Sequence, residues 1–333
     1  MILIDNENNH DPRINLALEE YIVRNFEPEQ DYLLFYVNQP SIIIGKHQNT
    51  IEEINAQYVQ DNNVIVVRRI SGGGAVYHDF GNLNFSFLTR YDIKKVNNFI
   101  QFVQPIVDAL KGLGVPASMT GRNDIVADGR KISGNAQFST TKKMFSHGTL
   151  LFDANIESVV NALNVSGDKI TSKGIQSVRS RVANIKEFLT APLDLQGFKA
   201  ALLASIFAGK AEIPTYKLSR QEWDAVHQLS KEKYQTWEWN YGRSPEFNIQ
   251  KKHRFDFGQI DARIDVKDGY ITDIKFFGDF LSHGEPSEVE KTLLKVRYVQ
   301  ADIAQALEKT DLAYYFGQIT PQDFAKFLCD VAG

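Results

Sequence analysis

The stretch RRISGGGAVYHDFGNLNFSF (68–87) sets three consecutive glycines between two β-rich runs. Glycine costs roughly 0.5–1 kcal/mol against alanine inside regular structure, because it loses the most backbone freedom on folding. Three in a row need a reason: a sharp turn of the chain, or the close approach of a ligand to bare backbone. The run ahead, VIVVRRI (64–70), reads as a strand ending at the glycines. The run behind, NLNFSFLT (82–89), alternates Leu83, Phe85 and Phe87 with Asn82, Asn84 and Ser86, the pattern of a half-buried strand. A β-rich run after the glycines excludes the dinucleotide fingerprint, which needs a helix there, and no Gly-Lys-[Ser/Thr] follows as in a Walker loop. An anion-binding concavity of backbone N–H groups fits the context. Arg68 and Arg69 would add a guanidinium fork for phosphate or carboxylate.

The rest of the chain frames this loop. Asp11-Pro12 opens a helix, with Asp11 as cap and Pro12 in the first turn, and Ile14, Leu16, Ala17, Leu18, Tyr21, Ile22 and Val23 give it an apolar face. YLLFYVN (32–38) and SIIIGKH (41–47) read as strands around Pro40. FIQFVQPIVDALKGLGV (99–115) reads as a helix with a proline inside and a glycine stop. Asp128-Gly129 is a hairpin turn signal, so NDIVA and KISGNAQF are expected as antiparallel neighbours, with FSHGTLLFD (145–153) as a third strand. KITSKGIQSVRSRVANI (169–185), with Lys169, Lys173, Arg179 and Arg181 and no acid, is expected as a basic loop. Helices are expected over 194–208 and 219–235. Turn residues cluster in WNYGRSPEFNIQKK (239–252), a domain boundary. Beyond it come short strands about a Lys267-Asp268-Gly269-Tyr270 turn and then helices, the outline of a small α+β module.

Composition excludes more than it selects. The 333 residues are 43% hydrophobic and 23% charged, ordinary for a soluble globular chain, and the net charge of −4 argues against a nucleic-acid binder. No apolar run approaches the length of a membrane span and the N-terminus is no signal peptide, so a cytoplasmic protein is expected. The single cysteine, Cys329, makes no internal disulfide, and it lies far in sequence from every candidate site motif. No Gly-x-Ser-x-Gly elbow is present, and His78 and His147 have no partner at metal-ligand spacing. Lys131, followed by the small residues Ser133-Gly134-Asn135-Ala136, is a candidate second cation for the same anion. Asn123-Asp124 is either turn chemistry or a nucleotide and magnesium contact.

Taken together, the blocks RRISGGGAVYHDFGN, GRNDIVADGRKISGNA, HGTLLFDAN and KGIQSVRSRVANI, in that order, resemble the lipoate–protein ligases. TWEWNYGRSPEF resembles the segment closing that family's catalytic domain, and the resemblance runs from about Asp11 to the end of the chain. It implies an α+β protein: a catalytic domain of the biotin/lipoate ligase fold (1–243), with a class II aminoacyl-tRNA synthetase-like mixed sheet and flanking helices, and a small α+β accessory domain (252–333). The implied reaction joins lipoate to ATP as lipoyl-AMP, then transfers the acyl group to a lysine of an acceptor lipoyl domain, in 2-oxoacid dehydrogenase complexes or the glycine-cleavage H protein. ATP is then a substrate, Mg2+ its companion, and no tightly bound organic cofactor, nucleic acid or membrane is expected; octanoate is a further candidate acyl donor.

Residue by residue, Lys131 matches the family lysine that contacts both the lipoate carboxylate and ATP. Arg69, Gly74, Ala75, Val76 and Tyr77 match the ATP-binding positions, with Ser71 and Gly73 beside them. Asn123 and Asp124 match nucleotide contacts, Asp124 also a magnesium ligand, and His147 matches a position near the acyl end. Ser146 and Asn135 depart locally from some relatives. Residues 169–185 would cover the adenylate. A transferase of the same fold, acting without ATP, needs a cysteine nucleophile at a position that Cys329 does not match. A biotin ligase would carry Gly-Arg-Gly-Arg-x-Gly where this chain has Arg-Arg-x-Ser-Gly-Gly-Gly.

Overall fold

The structure is a computed structural model that describes residues 1–121, 123–163, 181–241, 249–267 and 269–329. Its strands, in chain order, are β1 (Ile2–Asp5), β2 (Tyr32–Val37), β3 (Ser41–Ile44), β4 (Ile65–Arg68), β5 (Val76–His78), β6 (Asn82–Arg90), β7 (Ala117–Thr120), β8 (Asp124–Ala127), β9 (Arg130–Ser139), β10 (Lys143–Leu151), β11 (Thr215–Lys217), β12 (Ile249–Phe255), β13 (Gly258–Lys267) and β14 (Tyr270–Gly278). Among the described residues no helix is long and apolar enough to cross a membrane. Lys169, Lys173, Arg179 and residues 242–248 of the expected boundary segment lie outside the described residues.

Contacts divide the chain into two compact units. The first comprises Met1–Ile43, Glu52–Arg68 and Val76–Asn240. The second gathers Ile44–Ile51, Arg69–Ala75 and Tyr241–Gly333.

The first unit is built on a mixed sheet of order β11-β1-β2-β6-β10-β9-β8-β7. The helix Pro12–Asn25 forms as its sequence dictates: the Asp11 side chain accepts from Arg13 N, and Pro12 occupies the first turn. Its buried residues include Leu16, Leu18, Ile22 and Val23, but also Glu19 and Glu20. The helix Phe99–Gly112 contains Pro105, and Gly114 follows it at φ 84°. Asp128 (φ 47°) and Gly129 (φ 75°) are both left-handed, which is how a two-residue hairpin matches strand twist between β8 and β9.

β6 differs from its expected half-buried state. All of Asn82–Thr89 is buried, polar side included. The polar row is partly satisfied within itself: Asn82 Nδ2 donates to Asn84 Oδ1, and Asn84 Nδ2 to Tyr36 O. β3 and β4 are also shorter than their apolar runs, ending at Ile44 and Arg68.

The second unit packs the antiparallel sheet β12-β13-β14 against the helices Pro286–Leu293, Gln300–Leu307 and Pro321–Cys329. Ile260, Ile264, Phe276, Phe280, Phe316 and Phe324 sit in its core. Two antiparallel pairings join its strands, and Lys267 pairs with Tyr270 across the expected turn.

Candidate active site

In the first unit the candidate residues converge on β8, β9 and β10. Lys131 Nζ lies 2.9 Å from Asp124 Oδ1, the two side chains 43% and 33% exposed. On a regular strand, Lys131 and Gly134, three apart, would point to opposite faces. Here the register shifts between Ile125 and Val126, so that Ile125 pairs with Ser133 and Val126 with Lys131. A bulge of this kind re-aims a side chain. The Lys131 ammonium consequently sits 3.1 Å from where a Cβ on Gly134 would stand, and Gly134 itself pairs with Asp124. A side chain at 134 would crowd the lysine.

The backbone of Lys131 is held as well. Its N–H donates to Arg181 O at 2.7 Å, and Ala183 N–H donates to Lys131 O at 2.9 Å. The neighbouring Arg130 pairs with Glu187 at 2.8 Å and lies over the Phe188 ring. Asn123, the other expected ligand contact on this hairpin, donates its amide to Asn135 O.

Alternation along β9 places Gly134 and Ala136 on one face, and Ala136 pairs with His147 of β10. Lys131, Asp124 and His147 therefore share a sheet face. His147 Nδ1 lies 3.0 Å from both carboxylate oxygens of Glu19, on the helix Pro12–Asn25, in a pairing where the ring nitrogen donates. Phe145 packs against the His147 ring at 4.8 Å. Across β6 stands Ser86, fully buried, its hydroxyl without a partner among the described residues. The face thus runs from a cationic end at Lys131 to an aromatic and hydrogen-bonding end at His147. Glu19 and Ser86 were missed by sequence reasoning. The signal for Glu19 was its place between Leu16 and Val23 on the apolar side of the helix.

Val76 and Tyr77 form β5, paired with Ile43 and Ile42. Tyr77 is buried, which pushes its hydroxyl above the ordinary tyrosine value.

The glycine loop, in the second unit, resolves the arginine pair differently from a fork. Adjacent residues leaving a strand point to opposite sides. Arg68, at the end of the first unit, is 1% exposed, and its guanidinium donates to Trp239 O and Asn240 O. Trp239 Nε1 donates in return to Arg68 O. Arg68 is a structural tie. Arg69 is 6% exposed and donates to Ser71 Oγ, Gly72 O and Gly74 O.

The three glycines also differ from one another. A Cβ on Gly72 would stand 2.5 Å from Phe280 O, and Gly73 has φ 93°, a conformation L side chains rarely adopt. A Cβ on Gly74 would meet nothing within 4 Å among the described residues. Within the same unit Lys46 pairs with Glu285, and His47 stacks on Phe280 at 4.9 Å.

Among the described residues no group of three or more His, Cys, Asp or Glu side chains gathers as a metal site. Magnesium carried by a nucleotide needs only one or two protein carboxylates beside the phosphates. Asp124, a third exposed, supplies one such carboxylate, so the residues present fit the ion.

Residues 11–207 match the family described as "Lipoyl protein ligase A/B catalytic domain", and residues 244–328 match "Bacterial lipoate protein ligase C-terminus". Lipoate-protein ligase LplJ of Bacillus subtilis is 57% identical over 326 residues, covering 97% of this chain and 98% of that protein. The crystal structure of P. falciparum LipL1 in complex with lipoate superposes with TM-score 0.79 at 24% identity, over 99% of each chain, a likeness of fold. A lipoate-protein ligase A structure bound with ATP superposes with TM-score 0.59 at 28% identity, over 73% of this chain and 98% of that one. The architecture is the biotin/lipoate ligase fold that the sequence blocks implied.

Proposed function

The chain belongs to the lipoate–protein ligase family, and from that premise we propose that it activates lipoate with ATP and transfers the lipoyl group to a lysine of an acceptor lipoyl domain. In the first step a lipoate carboxylate oxygen attacks the α-phosphorus of ATP, and pyrophosphate leaves. In the second the acceptor ε-amine attacks the acyl carbon, AMP leaves with the C–O bond electrons, and the nitrogen sheds a proton. The mixed anhydride is already activated, so neither step requires a protein nucleophile. Cys329, at the end of the last helix, has no part in it.

The first step presses two anions together, so a positioned cation supplies much of the catalysis. The observation that carries the reading is the half-exposed Lys131 ammonium, aimed by the β9 bulge and steadied by Asp124. Lys131 binds the lipoate carboxylate and the α-phosphate together. The acyl chain lies along the sheet face towards His147, Phe145 and Ser86, where His147 and Ser86 offer polar groups at its far end. Arg69, with Ser71, Gly73, Gly74 and Ala75, receives phosphate oxygens, and Val76 and Tyr77 line the nucleoside. Asp124 would hold Mg2+ together with the phosphates, and the ion would offset their negative charge. Residues 1–243 form the catalytic domain and 252–333 the accessory domain.

The test is lipoate-dependent ATP–pyrophosphate exchange by the purified chain, with octanoate and biotin alongside. Exchange with lipoate and none with biotin is expected. No exchange with any acid, combined with acyl transfer from a lipoyl-protein donor, would favour the ATP-independent transferase instead.

A further inference from the structure

The bulge that aims Lys131 does not hold itself in place. Next to it, Asn123 and Asn135 clasp each other. Asn135 N–H donates to Asn123 O at 3.1 Å, Asn135 Nδ2 donates to the same oxygen at 2.8 Å, and Asn123 Nδ2 donates back to Asn135 O. Asn135 Nδ2 also reaches Ser133 Oγ at 3.3 Å. These bonds tie the turn before β8 to β9 one residue beyond the Asp124–Gly134 pair. They fix the register of the two strands where Asp124 meets Lys131.

The clasp is seated from the other sheet face. Asn135 pairs with Gly148 of β10 and is 4% exposed. A Cβ on Gly148 would stand 2.1 Å from Asn135 Oδ1 and 2.7 Å from the Phe85 ring. Glycine at 148 leaves the space that the asparagine side chain fills. Asn135 Oδ1 is buried and has no partner among the described residues. Holding a polar oxygen there costs stability. An apolar side chain would avoid that cost but could not donate to Asn123 and Ser133.

We propose that Asn135, seated on Gly148 and clasped with Asn123, is a positioning residue for Lys131: it sets the β8–β9 register that aims the ammonium at the carboxylate of the acid substrate. The inference rests on the ligase reading, because it needs Lys131 to bind an anion. It assigns the Asn123 amide to the clasp.

The experiment separates carboxylate recognition from general integrity. Binding of lipoate and of its neutral amide, lipoamide, is measured by calorimetry without ATP or metal, beside thermal unfolding. It is run for the wild type, Asn135→Ala, Asn123→Ala, Lys131→Ala and the double variant Lys131→Ala/Asn135→Ala. Asn135→Ala is expected to weaken lipoate about tenfold, the low end for losing a hydrogen bond to a charged group, and to leave lipoamide within about twofold. The double variant is expected to bind lipoate as Lys131→Ala does, because the two act through one group. Asn123→Ala, at a part-exposed position, removes the other half of the clasp and carries the test if Asn135→Ala does not fold. Equal weakening of lipoate and lipoamide, or full additivity with Lys131→Ala, would overturn the positioning role. Failure of the wild type to bind lipoate would instead overturn the ligase reading on which it rests.

Discussion

Two cations assigned to the same chemistry are built in opposite ways. Lys131 stands on a hairpin with 43% of its side chain exposed and, among the described residues, a single carboxylate on its ammonium. Arg69 is 6% exposed and spends its guanidinium on a hydroxyl and two carbonyls of its own loop. Lys131 can take an anion on its open side without giving up a bond. To take a phosphate in the proposed reaction, Arg69 would exchange carbonyl oxygens for phosphate oxygens, a trade favoured because charge-assisted hydrogen bonds are the stronger kind. On the proposed function, the lysine would be poised before substrate arrives, and the arginine would give up its own loop's order to engage.

The largest effect should come from the poised group. Lys131→Ala should lower lipoate-dependent ATP–pyrophosphate exchange at least about a hundredfold, the scale of losing one key charge-stabilising group. A near-wild-type rate would remove the lysine from its role and dissolve the contrast.

The arginines sharpen it next. Arg69→Ala should raise the KM for ATP and, because it strands Gly72 O and Gly74 O, also lower the melting temperature. Arg68→Ala should strand the carbonyls of Trp239 and Asn240 and cost about 1–3 kcal/mol of stability, with exchange falling only as the folded fraction falls. A raised KM for ATP in folded Arg68→Ala as well would restore the fork read from the sequence.

Within the loop, Gly74→Val should melt like the wild type, since its Cβ would meet nothing within 4 Å among the described residues, and should lose ATP use. Gly72→Val should lower the melting temperature, because Phe280 O stands 2.5 Å from its Cβ. If Gly74→Val unfolded first, the glycines would be turn residues and no more.

The smallest effect concerns alkali, and it contrasts the two units. Burial holds Lys143 down at about 8 from an ordinary 10.5, although its Nζ donates to Glu27 O and Gln30 O. Between those values the unfolded chain binds more protons, so this lysine makes the first unit more stable as pH rises through the window. In the second unit, Tyr298 is pushed up to about 12 by burial, and Tyr315 to about 12 by its hydrogen bond to Glu288. Their contribution is whole below the unfolded value of 10.0 and is lost as pH rises through about 12. Hydrogen exchange in steps from pH 8 to 11 should show the second unit loosening first. Equal loosening would show that these three groups do not set the order.

Several features were legible because they obey nearest-neighbour rules. Asp11 and Pro12 start a helix through capping and a preset φ. Asp128-Gly129 turns a hairpin because both residues tolerate left-handed backbone. β6 was legible as a strand but not in its burial. Alternation reports which residues share a face, not whether both faces are covered. The Arg68-Arg69 pair misled for a related reason: two neighbouring cations look alike in sequence, and only the strand's pleat sends one to Trp239 and the other to the loop.

The amino-acid sequence by itself determined the family, the order of the elements and the candidate cations, because ordered blocks of residue types and local backbone preferences are written along one dimension. The tertiary structure alone decided how those groups are held. Glu19 meets His147 across 128 positions of the chain, a one-residue bulge turns Lys131 towards Gly134, and an asparagine clasp holds that register. Each of these depends on strand register and on atoms brought together from distant positions, and a one-residue slip would send every side chain of the strand to the other face.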